Sequence, residues 1–331
     1  MLGIDIGGTT FTVGAISTDG RRIGSLREEP TNPKDGADGV LHRIASAGRA
    51  VMEAVRQAEP GAEFIGIGAG APGPLDAEAG VVLLTPNLGW VDYPLRDRLQ
   101  AALGLPTVID NDANCAVLGE WWQGAAQGTR HAIGFTIGTG IGGGIIVNGQ
   151  LYHGASGCAG EIGHTTIEAN GRHCACGNYG CLEAYASGLA IARRAVEAIE
   201  SGEVTTLLER AGGDLAGITA RTVYDAAHDG DELARELVHE TAQFLGAGVA
   251  NLVNVFNPEV VVVCGGVTRA GDLLFVPLRR EVSRRAFRPA VQAVRIVAQQ
   301  LEAPGVFGAA RVFVERAGGE KSQVAGRRPQ A

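Results

Sequence analysis

The chain has 331 residues, of which 45% are hydrophobic and 19% charged, and a net charge of -8. That is room for two ordinary domain cores, and it excludes a disordered chain or a disulfide-stapled miniprotein. The acidic balance repels phosphate backbones and anionic lipids over most of the surface, so neither nucleic acid nor a membrane is expected as a partner.

Glycine stands out with 50 residues, about twice the ordinary ~7% share, so tight backbone turns are expected to matter. No stretch approaches the ~20 apolar residues that cross a bilayer, and MLGIDIGG lacks the basic and apolar regions of a signal peptide. A cytoplasmic location is expected.

Leu2 to Ile6 and Phe11 to Ile16 read as strands joined by the turn GGTT, because apolar β-formers are interrupted by residues that accept positive φ. Val40, Leu41, Ile44, Ala45, Val51, Met52 and Val55 recur at helical spacing, and FIGIGAG then reads as a strand. GVVLLT is another strand, Leu95 to Leu103 a helix, and PTVID a short strand leading into Asn111-Asp112-Ala113-Asn114. From Ile133 to Val147 the strand, glycine turn, strand pattern returns as IGFTIGTG and GGGIIV. Helices are expected over 182–200, 204–211, 221–228 and 232 to about 254, and then a buried strand, Glu259 to Cys264, ends in Gly265-Gly266-Val267. A helix over about 306–317 precedes a polar tail, 318–331, expected to be disordered. The repeated pattern predicts a duplicated α/β unit with a ligand in a cleft between the copies.

The first chemical constellation is Asp5-Ile6-Gly7-Gly8-Thr9-Thr10. Glycines let an oxyanion approach the main chain, N–H groups and threonine hydroxyls donate to phosphate oxygens, and the Asp5 carboxylate can hold Mg2+ through water. No Gly-Lys-Ser/Thr follows, so it is not a P-loop; the plain alternative is a glycine hairpin. Thr139-Gly140, in a matching turn, suggests a second jaw around a polyphosphate. Gly265-Gly266 closes a buried strand, where an adenosine can rest on glycine backbone.

Asp112 reads either as a helix N-cap or as the carboxylate that accepts the proton of an alcohol attacking a phosphoryl group. Asp110 competes for that role, and Asp112 is preferred because Asp110 is expected to end the strand. Asn87, before Leu88-Gly89-Trp90, is either a turn residue or an amide that holds a sugar. Trp121 and Trp122 read as packing, Cys115, Cys158 and Cys264 as small core residues, and His153 shows no partner spacing.

The strongest pattern is Glu161-Ile-Gly-His164, nine residues, Cys174-Ala-Cys176, four residues, then Cys181-Leu-Glu183. One imidazole and three thiolates fill the tetrahedral shell of Zn2+ and leave no open position, so the metal is structural. It braces the loop 164–181 and thereby places Glu161 and Glu183, carboxylates suited to sugar hydroxyls. His173 is the alternative imidazole. A nucleic-acid zinc knuckle is disfavoured by the acidic chain and by the single loop cation, Arg172.

The segments DIGGTT, GAGAPGPLD, TPNLGW, NDANCAVLGE, TIGTGIGGG, GEIGH to CACGNYGCLEAYASG, and VVVCGGV resemble the ROK sugar kinases, most closely bacterial ROK glucokinases, from Leu2 to about Ala317. The resemblance implies a two-domain actin- and hexokinase-like α/β fold with a duplicated ribonuclease-H-like core. A small domain, 1–111, would be completed by a returning helix over about 305–317, and a large domain would span 112–304. The sugar would lie in the cleft with ATP across both glycine turns. The resemblance implies Asp112 as general base, Asn111 as a sugar ligand, and Glu161, His164 and Glu183 at sugar positions. His164 would also ligate zinc with Cys174, Cys176 and Cys181. The implied reaction moves the γ-phosphoryl group of Mg·ATP to the 6-hydroxyl of glucose, in a homodimer or homotetramer.

One departure is Thr10, where the family commonly has Lys; it removes a cation near the phosphates and bears on the donor, ATP against polyphosphate. Other family members phosphorylate N-acetylglucosamine, N-acetylmannosamine, mannose or fructose, and others are sugar-responsive regulators. Those regulators carry a winged helix ahead of the phosphate turn, for which the chain ahead of Asp5 is expected to leave no room.

Overall fold

The computed structural model describes residues 1–85 and 87–326, with side chains described as far as Ala317. The chain divides into two compact units, one of Met1–Gly128, Leu151–Ala159 and the chain from Gln300, the other of Thr129–Gln150 and Gly160–Gln299.

In the first unit β1 (Leu2–Ile6), β2 (Thr10–Ile16) and β3 (Arg22–Pro30) pair antiparallel. The helix α1 (Gly36–Ala58) then carries the chain to β4 (Ile67–Ala71), which lies parallel to β1. A small antiparallel sheet follows, made of β5 (Leu75–Asp76), β6 (Val81–Thr85) and β7 (Trp90–Tyr93). Next, α2 (Leu95–Leu103) leads to β8 (Thr107–Asn111), parallel to β4, and α3 (Asp112–Gln123) follows at once. Parallel neighbours need a long crossover, which α1 and α2 supply. The expected apolar stripe of α1 is its buried face, Val40, Leu41, Ile44, Val51, Met52 and Val55 joining the core of the first sheet. Burial of such side chains contributes about 1.5–3 kcal/mol each.

The second unit opens with β9 (Ala132–Ile137) and its antiparallel partner β10 (Ile141–Val147), flanked by β11 (Gln150–Leu151). Five helices follow: α4 (Glu183–Ala186), α5 (Gly188–Glu200), α6 (Leu207–Arg210), α7 (Ala220–His228) and α8 (Glu232–Phe256). Then β12 (Val260–Cys264) lies parallel to β9, and after α9 (Asp272–Arg285) and α10 (Arg288–Ala293), β13 (Arg295–Ala298) lies parallel to β12. The two sheets have the orders β3-β2-β1-β4-β8 and β11-β10-β9-β12-β13. These are one arrangement used twice, as the repeated glycine turn predicts. The helix expected over 182–200 is broken at Ser187, whose hydroxyl accepts the N–H of Ala190 and caps α5. The one expected over 204–211 shortens to α6.

The last helix, α11 (Pro304–Gly326), returns to the first unit and packs along α3. Contact is so close that a Cβ on Gly308 would lie 1.6 Å from the carbonyl oxygen of Cys115, so only glycine fits there. This packing keeps α3 in the first unit, so the division falls after Gly128 rather than at the strand end near 111. Buried Glu120 fixes the re-entry by accepting N–H groups from Ala125 (2.8 Å) and Leu301 (2.8 Å), with a third from Gln300. A carboxylate out of water is tolerated when so many donors surround it. Of the segment expected to be disordered, 318–326 continues α11, and 327–331 lies outside the described residues. Among the described residues no helix is long and apolar enough to cross a membrane.

Candidate functional site

The parallel strands β1, β4 and β8 end on one edge of the first sheet, with Asp5, Gly70 and Asp110 in register across them. The carboxyl ends of parallel strands are where α/β sheets bind ligands. Burial, and then the charge of nearby Asp112, push the Asp5 carboxyl up to about 7. Two carboxylates that raise each other's cost of ionising favour a divalent cation.

Beside Asp5 the first glycine turn is held by its own backbone. Gly7 N–H donates to the Thr10 carbonyl (2.9 Å), the Thr31 hydroxyl to the Gly7 carbonyl (2.8 Å), and Thr31 N–H to the Thr9 carbonyl (2.8 Å). Thr9 and Thr10 are exposed, so their side chains are open to a ligand. Asn87 packs over this turn, its Cβ 3.3 Å from where a Cβ on Gly8 would stand.

At the end of β8 the N-cap of α3 is Asn111, not Asp112. Its side-chain oxygen accepts N–H groups from Ala113 (2.9 Å) and Asn114 (3.1 Å), which leaves the Nδ2 hydrogens for a ligand. Asp112 therefore occupies the first turn of the helix, where the N-terminal dipole favours a carboxylate. The competing carboxylate, Asp110, is 2% exposed and committed elsewhere. It accepts from Asn111 N–H (2.8 Å) and Asn114 Nδ2 (3.1 Å), shares a 2.8 Å hydrogen bond with His153 Nε2, and lies 3.7 Å from Arg316. His153 thus has a partner after all, and Asp110 holds its pKa above the usual range. Neither the spacing of His153 nor that of Arg316 reveals this, because both approach from distant parts of the chain.

In the second unit β9 and β12 likewise end side by side, each in a glycine turn. Gly265 has φ +98°, and a Cβ on it would lie 2.3 Å from the Ile137 carbonyl oxygen, so the Gly265-Gly266 turn adjoins the Thr139-Gly140 turn. Gly265 N–H donates to Gln299 Oε1 (2.7 Å), Gly138 N–H to the Gly140 carbonyl (3.0 Å), and Gly188 N–H to the Gly138 carbonyl (2.8 Å). Thr139 and Gly266 are exposed, so both turns can meet an anion.

The side chains of His164, Cys174, Cys176 and Cys181 each bring one ligand atom within 4.8 Å of the others. The Cys176–Cys181 sulfur separation is 3.7 Å and His164 Nδ1 lies 3.8 Å from Cys174 Sγ. A regular tetrahedron with ~2.3 Å metal–sulfur arms has edges of ~3.8 Å, so the donor set fits Zn2+. Burial, followed by hydrogen bonds with Cys176 and Cys174, pushes the Cys181 thiol up to about 12. A bound cation would favour the thiolate there. His173 stays outside the set, edge-on to Tyr179.

With Nδ1 facing the thiols, His164 turns Nε2 toward Glu161, 4.0 Å away. The imidazole can therefore hold the metal with one nitrogen and a substrate hydroxyl with the other. Glu183 stands between the cluster and the second glycine turn, Oε1 3.9 Å from Cys174 Sγ and Oε2 accepting the Ile141 N–H at 2.8 Å. The expected sugar carboxylate thus has a backbone partner that its position after Cys181 does not disclose. Cys115 and Cys264 are buried as expected; Cys158 is exposed, a correction to its reading as a core residue.

The ROK family model matches residues 1–316. A glucokinase of Thermotoga maritima is 38% identical over 96% of this chain and 98% of its own length. A glucokinase of Halalkalibacterium halodurans is 42% identical over 84% of each chain. The crystal structure of a ROK family glucokinase from Streptomyces griseus, in complex with glucose and AMPPNP, superposes with a TM-score of 0.82 at 35% identity, covering 94% of this chain and 98% of that one. With the duplicated sheet, the paired glycine turns and the cluster of one histidine and three cysteines all present, the chain belongs to the ROK family.

Proposed function

We infer that this protein is a sugar kinase that phosphorylates glucose with ATP. The observation that carries the reading is the Asp112 carboxylate, next to the Asn111 amide and near Asp5, on a fold shared with a relative whose structure holds glucose and AMPPNP.

The 6-hydroxyl oxygen of glucose attacks the γ-phosphorus, the bond to the bridging β,γ oxygen breaks, and ADP leaves. Asp112 accepts the hydroxyl proton as the new bond forms and returns it to solvent. Gly8, Thr9 and Thr10, in the turn that Gly7 closes, and Thr139 and Gly140 donate to phosphate oxygens; Gly265 and Gly266 receive the adenosine. Asp5 would hold Mg2+, which would supply charge neutralisation on the phosphates. Asn87, Asn111, Glu161, His164 Nε2 and Glu183 take the sugar hydroxyls. His164, Cys174, Cys176 and Cys181 would hold a structural Zn2+, which would brace the loop between Glu161 and Glu183. On the same reading the enzyme is cytoplasmic and works as a homodimer or homotetramer.

A coupled assay of nucleotide release, run over glucose, mannose, fructose, N-acetylglucosamine and N-acetylmannosamine with ATP or polyphosphate as donor, tests this. The expected result is turnover with ATP and highest kcat/KM for glucose, on protein containing about one zinc per chain. Turnover with none of these pairs would sink the reading, and a clear preference for polyphosphate would assign Thr10 a role in donor choice.

A further inference from the structure

The Ile141 main chain lies directly after the Thr139-Gly140 turn and is gripped at its N–H and at its carbonyl by the segments that carry the candidate metal and sugar side chains. On its nitrogen side, Ile141 N–H donates to Glu183 Oε2 at 2.8 Å. On its carbonyl side, Gly163 packs so closely that a Cβ there would lie 2.1 Å from the Ile141 oxygen. Gly163 precedes His164 and Glu183 follows Cys181 by two residues, so both grips are extensions of the histidine and cysteine cluster. A third tie, Gly188 N–H to the Gly138 carbonyl at 2.8 Å, fixes the other end of the turn. Gly140 completes the arrangement: a Cβ there would fall 2.5 Å from Glu183 Oε2, so any larger residue displaces the carboxylate from Ile141.

We propose that Glu183 is a positioning residue for the nucleotide, holding the 139–141 turn in its phosphate-accepting shape and joining it to the cysteine loop, so that it supports triphosphate binding before any sugar is present. This rests on the assignment of that turn to the nucleotide. The role is separate from contact with a sugar, because Oε2 is engaged by backbone while Oε1 faces the cluster. A hydrogen bond to a backbone N–H orients that peptide plane, and with it the neighbouring donors of the turn.

The test is the affinity of sugar-free protein for Mg·AMPPNP, measured by calorimetry, with zinc content and Tm recorded on each sample. Glu183→Ala is expected to weaken binding about tenfold. Glu183→Gln, whose amide oxygen can accept the same N–H, should stay close to wild type. Glu183→Asp keeps the charge but falls one methylene short of Ile141, so it should behave like the alanine variant, and it serves if Glu183→Ala does not fold. Wild-type affinity in the alanine or aspartate variant overturns the proposal, as does a glutamine variant as weak as alanine. A wild-type protein that binds no Mg·AMPPNP at all would instead count against the kinase reading itself.

Discussion

The two sheets share one strand order, yet their carboxyl edges carry opposite chemistry. The first edge is acidic: Asp5, Asp110 and Asp112 stand at or just past the ends of β1 and β8, and burial raises the pKa of Asp5. The second edge ends in glycine turns, with its carboxylates on a separate loop beside a thiol cluster. A duplicated scaffold therefore dictates where the strands end and leaves the end residues free to diverge. On the first edge Asp110 and Asp112 also differ: one carboxylate is 2% exposed and surrounded by donors, the other begins a helix.

The largest effect expected separates that pair. Asp112→Asn should lower kcat by ~10²- to 10⁴-fold while glucose affinity, measured by calorimetry, stays within a few-fold. Near-normal kcat would return the base role to another group. On the other edge, Cys181→Ser should lower zinc content and Tm together, because it removes one of four ligands from a closed shell. Full zinc occupancy in that variant would dismiss the proposed ligand set.

A third measurement concerns Asp5 in protein free of nucleotide and divalent cation. Its folded-state pKa, about 7, lies above the ordinary 3.8. The folded state therefore binds more protons than the unfolded one between those values, and stability falls as pH rises through the window. Asp5→Asn should raise Tm at pH 8 by about 3 °C and change it little at pH 4, where the folded wild-type carboxyl is protonated and, like the amide that replaces it, uncharged. An equal effect at both pH values would contradict the burial argument.

The smallest effect concerns His153, whose pKa Asp110 raises. Its stabilisation is present in full below the unfolded value and is lost as pH rises through the higher folded value. His153→Ala should cost more stability near pH 6 than near pH 9, by about 1 kcal/mol at most for a partly exposed pair. Denaturant titrations at the two pH values read the difference directly.

Much of the site was legible because its chemistry is local. The turns DIGGTT and TIGTG, the strand ending in NDAN and the His-x9-Cys-x-Cys-x4-Cys spacing each bring their own neighbours within reach of one another, and the structure places them at strand ends or in one cluster. Of the two readings open for Asp112, the helix N-cap falls instead to Asn111: both are good caps, and backbone direction at the end of β8 decides between them. The break at Ser187 was hidden by continuous helical periodicity on either side.

Local spacing determined the candidate metal ligands, the glycine turns and the candidate base, since those depend on residues a few positions apart. Tertiary structure alone decided the contacts of Asp110 with His153 and Arg316, the return of α11 onto α3 and the bond from Glu183 to Ile141, which join residues 43, 42 and more positions apart. Such contacts arise only when β-sheet registers and helix packing bring distant backbone together, and no periodicity in the chain encodes that distance.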